Sequence, residues 1–254
     1  MSSDNSGELM GQRFLALASL LLLGAAAIAM TPSARGALRI IVVACCLLAG
    51  WGLTRSGPGA AIAVMVGALC GIAVTGLAWQ AVMPLAVLAF AGVAFLSPRL
   101  GSIRPADGRV PFWGTLLCAA VTPVALSLWL QLGRSDISDL VALIPKAPLP
   151  LLVLGGVTFA LVNAFFEELI WRGLFQSRLV QLFGAPWAIG IQAVSFGVAH
   201  AHGFPRGLTG VLLAGVWAVM LGILRQRACG LAAPVLAHVV ADATIACLVI
   251  SAAR

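Results

Sequence analysis

The 254-residue sequence predicts an all-α, polytopic membrane protein with eight or nine transmembrane helices. Composition is the first observation: 61% of the residues are hydrophobic and 9% are charged, whereas a soluble domain carries about a quarter charged residues. The second observation is that the apolar residues form successive stretches close to the roughly 20 residues that a membrane-spanning helix needs. Such a chain cannot cover a water-exposed surface with polar groups, so we predict a multi-pass integral membrane protein.

Nine apolar segments follow one another, and each predicts one helix. In chain order they are Phe14–Met30, Leu38–Leu53, Ala60–Trp79, Ala81–Leu96, Pro111–Leu132, Pro150–Phe166, Ala185–Ala199, Leu208–Leu224 and Leu231–Ile250. The count stays between eight and nine because Gln80 separates two neighbouring segments and the segment that starts at Ala185 is short. We assign residues 1–13 to a short polar tail, expected to be disordered, and residues 14–254 to a single helical membrane domain.

The formal net charge of +7 raises the question of a nucleic-acid partner. The basic residues are scattered among the loops instead of forming one patch, which argues against nucleic-acid binding. We interpret them as topology signals and as anchors to the anionic head groups of the lipid bilayer. Only Arg13 gives the first apolar segment a basic flank, so we expect that segment to remain as a helix and not to be cleaved as a signal peptide.

Acidic residues are scarce, and three of the eight lie outside the tail and the loops: Glu167, Glu168 and Asp242. An ionised carboxylate at the centre of a bilayer costs on the order of a few kcal/mol or more unless it is paired, protonated or hydrated. Membrane chains therefore carry few of them by chance. The three carboxylates indicate where a functional site is to be sought.

The first motif is the segment Phe165–Gly173, with adjacent carboxylates and an arginine one turn later. On an α-helix Glu168 and Arg172 lie on one face with the acid nearer the N-terminus, which predicts an ion pair. Glu167 is rotated by about 100° and has no obvious partner in its own helix, which leaves it as the candidate general base. The alternative is structural, with both glutamates capping a helix end and pairing with Arg172 or Arg178.

The second motif is Phe196 followed by His200. An apolar run from Trp187 ends at His200 and measures only about 20 Å as a helix, less than the roughly 30 Å of bilayer hydrocarbon. Irregular backbone at that depth persists only where it is buried in protein or lines a hydrated cavity. We therefore expect His200 inside the membrane beside water, whereas an interfacial position suits His202 better.

The third motif is His238 with Asp242 one turn later on the same helix face. A carboxylate beside an imidazole fixes the tautomer and the orientation of the ring. The alternative is a pair that only packs helices together. With simple alternation of spans His200 and His238 fall on opposite sides of the membrane, so they meet only if the chain re-enters after a short helix at His200.

Together, the patterns EExxxR, FxxxH and HxxxN or HxxxD resemble the CPBP family of intramembrane proteases, which includes the CAAX prenyl endopeptidases and bacterial relatives linked to bacteriocin processing and immunity. The matching residues are Glu167, Glu168, Arg172, Phe196, His200, His238 and Asp242. The resemblance covers residues 150–254, and the first half of the chain matches only as generic membrane helices. It implies a helical bundle around a membrane-embedded polar cavity, with endopeptidase activity.

The resemblance also implies roles for these residues. Glu167 would activate a water for attack on the scissile carbonyl, and His200 would orient that water or protonate the leaving amine. His238, held by Asp242, would donate to the developing oxyanion. Glu168, Arg172 and Phe196 would support the site. We prefer a mechanism without a cofactor. Zinc is the alternative, because a glutamate and two histidines can bind it although the HExxH motif is absent.

The expected partner is a membrane-associated peptide or protein substrate, and the expected location is a bacterial inner membrane. The sequence does not distinguish a prenylated CAAX protein from a bacteriocin precursor or a C-terminal sorting tail. A small proton-coupled transporter that uses the same buried residues is the alternative function, and a catalytically silent scaffold is a further one. The lack of a recognisable inverted repeat argues against the transporter.

Overall fold

A computed structural model describes residues 2–101, 108–133 and 136–254, and every regular element in these ranges is helical. The α-helices are α1 (Ser2–Ile28), α2 (Arg35–Leu53), α3 (Pro58–Ala73), α4 (Trp79–Leu96), α5 (Phe112–Gly133), α6 (Ser138–Ala142), α7 (Leu149–Glu168), α8 (Ser177–Phe183), α9 (Ala185–Ala199), α10 (Gly207–Ala228) and α11 (Ala232–Ala252). A π-helical segment, Leu169–Gln176, joins α7 to α8, and short 3₁₀ turns occupy Pro32–Ala34 and Pro98–Leu100.

Each of the nine predicted apolar segments overlaps one of these helices. Within the described ranges, seven helical runs are long and apolar enough to cross a membrane: Ser6–Ile28, Arg35–Leu53, Trp79–Leu96, Phe112–Gly133, Leu149–Phe183, Gly207–Ala228 and Ala232–Ala252. Helices α3 and α9 have 16 and 15 residues, or about 22–24 Å, which is less than the hydrocarbon thickness. The all-α, multi-pass prediction is confirmed, and the count of eight or nine spans stays a prediction that depends on α3 and α9.

The polar N-terminal tail is helical, since α1 begins at Ser2, and the expectation of disorder was wrong. Gln12 is buried, and its Oε1 accepts hydrogen bonds from the backbone N–H groups of Gly59 and Ala60 at 2.9 and 3.1 Å. Its Nε2 donates to the carbonyl oxygen of Ser56 at 2.6 Å. These contacts satisfy N–H groups in the first turn of α3, which have no partner within their own helix. Hydrogen bonds from Gln12 therefore hold the N-terminal half of α1 against the start of α3.

The chain divides into two compact units. The first unit contains Met1–Pro105 and Leu169–Val219, and the second contains Ala106–Glu168 and Met220–Arg254. The chain passes from the second unit to the first directly after Glu168, within the EExxxR motif. The prediction that residues 14–254 form a single domain stays a prediction.

In the first unit, α3 lies among α1, α2 and α4. Every residue from Gly59 to Gly67 is buried, as expected for a helix that is apolar on all sides. Small residues dominate this helix and allow its neighbours to approach closely. This packing explains why an apolar segment shorter than a full span belongs to the interior.

In the second unit, α11 packs against both α7 and α5. Helix α7 ends in the two adjacent glutamates, and α11 carries His238 and Asp242 in its first half. The packing of α7 on α11 therefore brings the first and third motifs together, although about 70 residues separate them in the chain.

Candidate active site

Five buried polar side chains lie between α7 and α11 in the second unit, and we call them the acid–imidazole cluster: Asn163, Glu167, Glu168, His238 and Asp242. None of the five is more than 7% exposed. Three of them contribute carboxyl groups and one contributes an imidazole. Buried ionisable groups are stable only when they contact one another or other polar partners, so these side chains form one interacting set.

The imidazole of His238 is oriented by Glu168. Its Nδ1 donates to Glu168 Oε1 at 2.7 Å, a length typical of a charge-assisted hydrogen bond. The other ring nitrogen, Nε2, lies 3.7 Å from Glu167 Oε2 and 3.8 Å from Asp242 Oδ1. The hydrogen bond to the ring comes from Glu168, and Asp242, which was predicted to hold the ring, lies 3.8 Å from Nε2. The role of Asp242 in holding His238 stays a prediction.

Asn163 is a further member of the site that was not predicted from the sequence. Its Nδ2 donates to Glu167 Oε1 at 3.3 Å and to Asp242 Oδ2 at 3.1 Å. The available signal was an amide in an apolar helix, four residues before Glu167 and therefore on the same helix face. Asn163 connects the first motif to the third.

The second carboxylate oxygen of Glu167 differs from the first. Among the described residues, the buried Oε2 has no hydrogen-bond partner. The 3.7 Å that separates Oε2 from His238 Nε2 is too long for a direct hydrogen bond and within the reach of one bridging water. The Glu167 carboxylate therefore has one oxygen held by an amide and one oxygen directed toward an imidazole nitrogen.

A π-helical segment directly follows the two glutamates. All eight of its residues, Leu169–Gln176, are buried, and the hydroxyl of Ser177 donates to the carbonyl oxygen of Arg172 at 3.2 Å. π-Helical turns are rare and frequently occur at functional sites. This segment begins the part of the EExxxR motif that belongs to the first unit.

In the first unit, Arg172 is fully buried beside aromatic rings. Its Cζ lies 4.6 Å from the centroid of the Phe196 ring, and its Nη2 is 3.5 Å from the carbonyl oxygen of Ala218. Trp171 contacts the same Phe196 ring edge-on, with 5.4 Å between centroids. The guanidinium is therefore held by a cation–π contact, which strengthens when water is excluded. The predicted ion pair between Arg172 and Glu168 stays a prediction.

His200 and His202 use opposite ring nitrogens. The Nδ1 of His200 donates to the carbonyl oxygen of Phe196 at 2.9 Å. The centroids of the His200 and Phe196 rings lie 4.3 Å apart. Because a carbonyl only accepts, Nδ1 carries the proton, and in the neutral ring Nε2 carries the lone pair. His202 is exposed, and its Nε2 donates to the carbonyl oxygen of Ile28 at 3.1 Å. The convergence of His200 and His238 on one site stays a prediction.

Gln192 is a second residue that the sequence analysis missed. It precedes Phe196 by one helical turn, is fully buried, and donates from Nε2 to the carbonyl oxygen of Ala218 at 3.0 Å. Nearby, a Cβ on Gly197 would lie 2.6 Å from the carbonyl oxygen of Val211, so only glycine allows this close approach of α9 to α10. These contacts hold the helix that carries Phe196 and His200.

In the part of the chain that the structure describes, no group of three His, Cys, Asp or Glu side chains is arranged to hold a metal ion. The cluster instead connects its carboxyl groups through an amide and an imidazole. Zinc dependence therefore stays an alternative for a chelator experiment.

Comparison with protein families matches residues 149–244 to the family described as Type II CAAX prenyl endopeptidase Rce1-like. No curated protein matches the chain, and no solved structure matches it. The matched residues extend from the start of α7 into α11 and include all seven candidate residues of the three motifs. The family expected from the motifs is confirmed for this part of the chain.

Proposed function

We propose that this multi-pass membrane protein, whose residues 149–244 belong to the Rce1-like type II CAAX prenyl endopeptidase family, is an intramembrane endopeptidase. Its substrate would be a membrane-associated protein or peptide. The observation that carries the proposal is the Glu167 carboxylate, with one oxygen held by Asn163 and the other 3.7 Å from His238 Nε2.

Glu167 acts as the general base in this proposal. Its Oε2 accepts a proton from a water placed between Oε2 and His238 Nε2, while the water oxygen attacks the scissile carbonyl carbon. A bond forms between that oxygen and the carbon, and the carbonyl electron pair moves to the carbonyl oxygen. The product of this step is a tetrahedral intermediate with a negatively charged oxygen.

His238 stabilises the oxyanion. With Nδ1 donating to Glu168, a proton on Nε2 points away from Glu168 and can be donated to the developing charge. The proton held by Glu167 then passes to the nitrogen of the scissile bond, the C–N bond breaks, and an amine leaves. The products are a free carboxylic acid and a free amine.

His200 orients the attacking water in this proposal. Its Nδ1 proton is committed to the carbonyl of Phe196, so the neutral ring offers an acceptor at Nε2 and not a donor. This favours water orientation over protonation of the leaving amine. Arg172, stacked on Phe196, supports the helix segment that carries His200. A hydrated cavity within the membrane would bring water to these residues. Eight or nine spanning helices would enclose it, depending on whether one or both of α3 and α9 are added to the seven long helical runs.

Mass spectrometry of peptides incubated with the purified protein in lipid vesicles tests the proposal. A farnesylated CAAX peptide and the same peptide without the prenyl group should be compared, because the pair separates prenyl-dependent from prenyl-independent cleavage. We expect a cleaved product from the wild type and none from Glu167→Gln, which keeps the shape of the side chain and removes the base. The melting temperature of the variant should stay close to that of the wild type.

The matched control is Glu8→Gln, the same chemical change at an exposed position of α1. It should leave cleavage unchanged. Turnover retained by Glu167→Gln would assign the base elsewhere, first to Glu168. Proton-coupled uptake into the vesicles, without any cleaved product across a peptide library, would favour the transporter.

A further inference from the structure

The four residues of the acid–imidazole cluster other than Glu168 form a closed ring. Glu167 Oε1 accepts from Asn163 Nδ2, which also donates to Asp242 Oδ2. The other oxygen of Asp242 faces His238 Nε2 at 3.8 Å, and the same nitrogen faces Glu167 Oε2 at 3.7 Å. Each carboxylate therefore directs one oxygen at the amide of Asn163 and the other at the imidazole.

The amide of Asn163 is suited to this place because its NH₂ group has two donors and meets two acceptors. The two acceptors are carboxylate oxygens on different helices, α7 and α11. With the amide turned around, its carbonyl oxygen would face two carboxylates, and neither contact could be a hydrogen bond unless an acid were protonated. The chemistry thus specifies the orientation of Asn163.

We propose that Asn163 is a positioning residue that selects Oε2 of Glu167 as the basic oxygen. By holding Oε1, Asn163 stops the Glu167 carboxylate from rotating about its last side-chain bond. Oε2 therefore stays directed toward Nε2 of His238. Through Asp242 it places a second carboxylate at a similar distance from the same imidazole nitrogen. This inference rests on the proposed role of Glu167 as the base.

A positioning role predicts a specific kinetic signature. Asn163 contacts Glu167 and Asp242, so its loss should disturb the reacting geometry and leave substrate affinity largely intact. Asn163→Leu, which is close in volume and has no donor, should lower kcat by about 10- to 100-fold, the range expected for a lost hydrogen bond to a charged group. KM should change by less than about twofold if only the transition state is affected.

The control for Asn163→Leu is Thr158→Val, which also replaces a polar side chain of α7 by an apolar one. Thr158 is exposed, and its hydroxyl donates to the carbonyl oxygen of Leu154 in the same helix. We expect wild-type kcat and KM for this variant. Wild-type kcat in Asn163→Leu as well would overturn the proposal.

The double variant Asn163→Asp/Asp242→Asn separates positioning from helix packing. It exchanges the carboxylate and the amide, so that a donor from α11 again meets an acceptor on α7, while Glu167 faces a second carboxyl group at position 163 instead of an amide donor. We expect the melting temperature to recover toward that of the wild type and kcat to stay low. Recovery of kcat together with the melting temperature would show that Asn163 only packs α7 on α11, and would overturn the proposal.

Glu167→Gln, measured in the same vesicles, separates failure of the inference about Asn163 from failure of the proposed function. If Glu167→Gln is inactive and Asn163→Leu keeps wild-type kcat, the inference about Asn163 fails and the proposed function stands. If Glu167→Gln remains active, both fail. Loss of folded protein in both Asn163 variants would assign this residue to folding and would also overturn the positioning role.

Discussion

The two units hold their buried polar side chains in different ways. In the second unit, carboxyl groups, an amide and an imidazole contact one another through side chains alone, as the contacts of His238 with Glu168 and of Asn163 with Asp242 show. In the first unit, the buried polar side chains close to Phe196 contact aromatic faces and backbone carbonyls. Arg172 stacks on Phe196, and the neighbouring polar residues donate to main-chain oxygens.

This difference indicates a division of labour. Titratable groups that contact each other can exchange protons and share a water, which is what hydrolysis needs. Contacts with backbone carbonyls and aromatic rings transfer no proton, so these contacts fix positions. We therefore expect variants of the second unit to lose turnover, and variants of the first unit, His200 apart, to lose stability.

After Glu167→Gln, the largest expected effects on turnover concern two histidines. His238→Ala and His200→Ala should each lower kcat/KM by about 10²- to 10⁴-fold, the range for loss of a positioned acid–base group. His202→Ala is the matched control and should keep nearly full activity, because His202 is exposed and bonded to the end of α1. The measurement is the rate of peptide cleavage in vesicles. Equal losses for His200→Ala and His202→Ala would remove His200 from the site.

Arg172→Ala should chiefly lower the amount of folded protein. It removes a fully buried side chain that stacks on Phe196 and, if the predicted pair with Glu168 forms, leaves a buried charge alone. Breaking a buried ion pair costs about 3–5 kcal/mol. Thermal melting in detergent checks this, with the half-buried Arg178→Ala as the milder control. A stable but inactive Arg172→Ala protein would instead indicate a direct role in catalysis or in binding a substrate carboxylate.

Gln192→Leu should have a moderate effect on stability. The leucine removes the donor at 3.0 Å from the carbonyl oxygen of Ala218, which keeps Arg172 Nη2 at 3.5 Å, so the expected loss is that of one net hydrogen bond, about 0.5–1.5 kcal/mol. The exposed Gln181→Leu is the control, because the amide of Gln181 donates to the carbonyl oxygen of Ser177 in the same helix at 3.2 Å, and surface changes usually stay within about 0.5 kcal/mol. Melting curves that coincide for the two variants would exclude a structural role for Gln192.

Chelators should have the smallest effect. If a glutamate activates water without a metal ion, cleavage in the presence of excess EDTA or 1,10-phenanthroline should stay within about twofold of the untreated rate. The measurement is the rate of product formation before and after dialysis. Activity that is lost with the chelator and restored by added zinc would replace the metal-free mechanism, with Glu167 and the histidines as ligands.

The predictions from sequence succeeded where they depended on neighbours in the chain. The apolar segments correspond to helices because composition and length govern whether a helix can lie in a bilayer. The one-turn spacing of His238 and Asp242 placed both on one face of α11, where both are buried. The expectation of a disordered tail was wrong because it did not include long-range hydrogen bonds. The side chain of Gln12 bonds to the backbone at and just before the start of α3, 44 to 48 residues away.

By itself the sequence determined the membrane class, the positions of the helices and the three motifs, since each depends on composition or on a spacing of a few residues. Only the tertiary structure decided which side chains are partners. Glu168 orients His238 and Asn163 joins Glu167 to Asp242 because α7 packs against α11 in one register. A register between helices is set by the fit of many apolar side chains along both surfaces, and no local pattern records it.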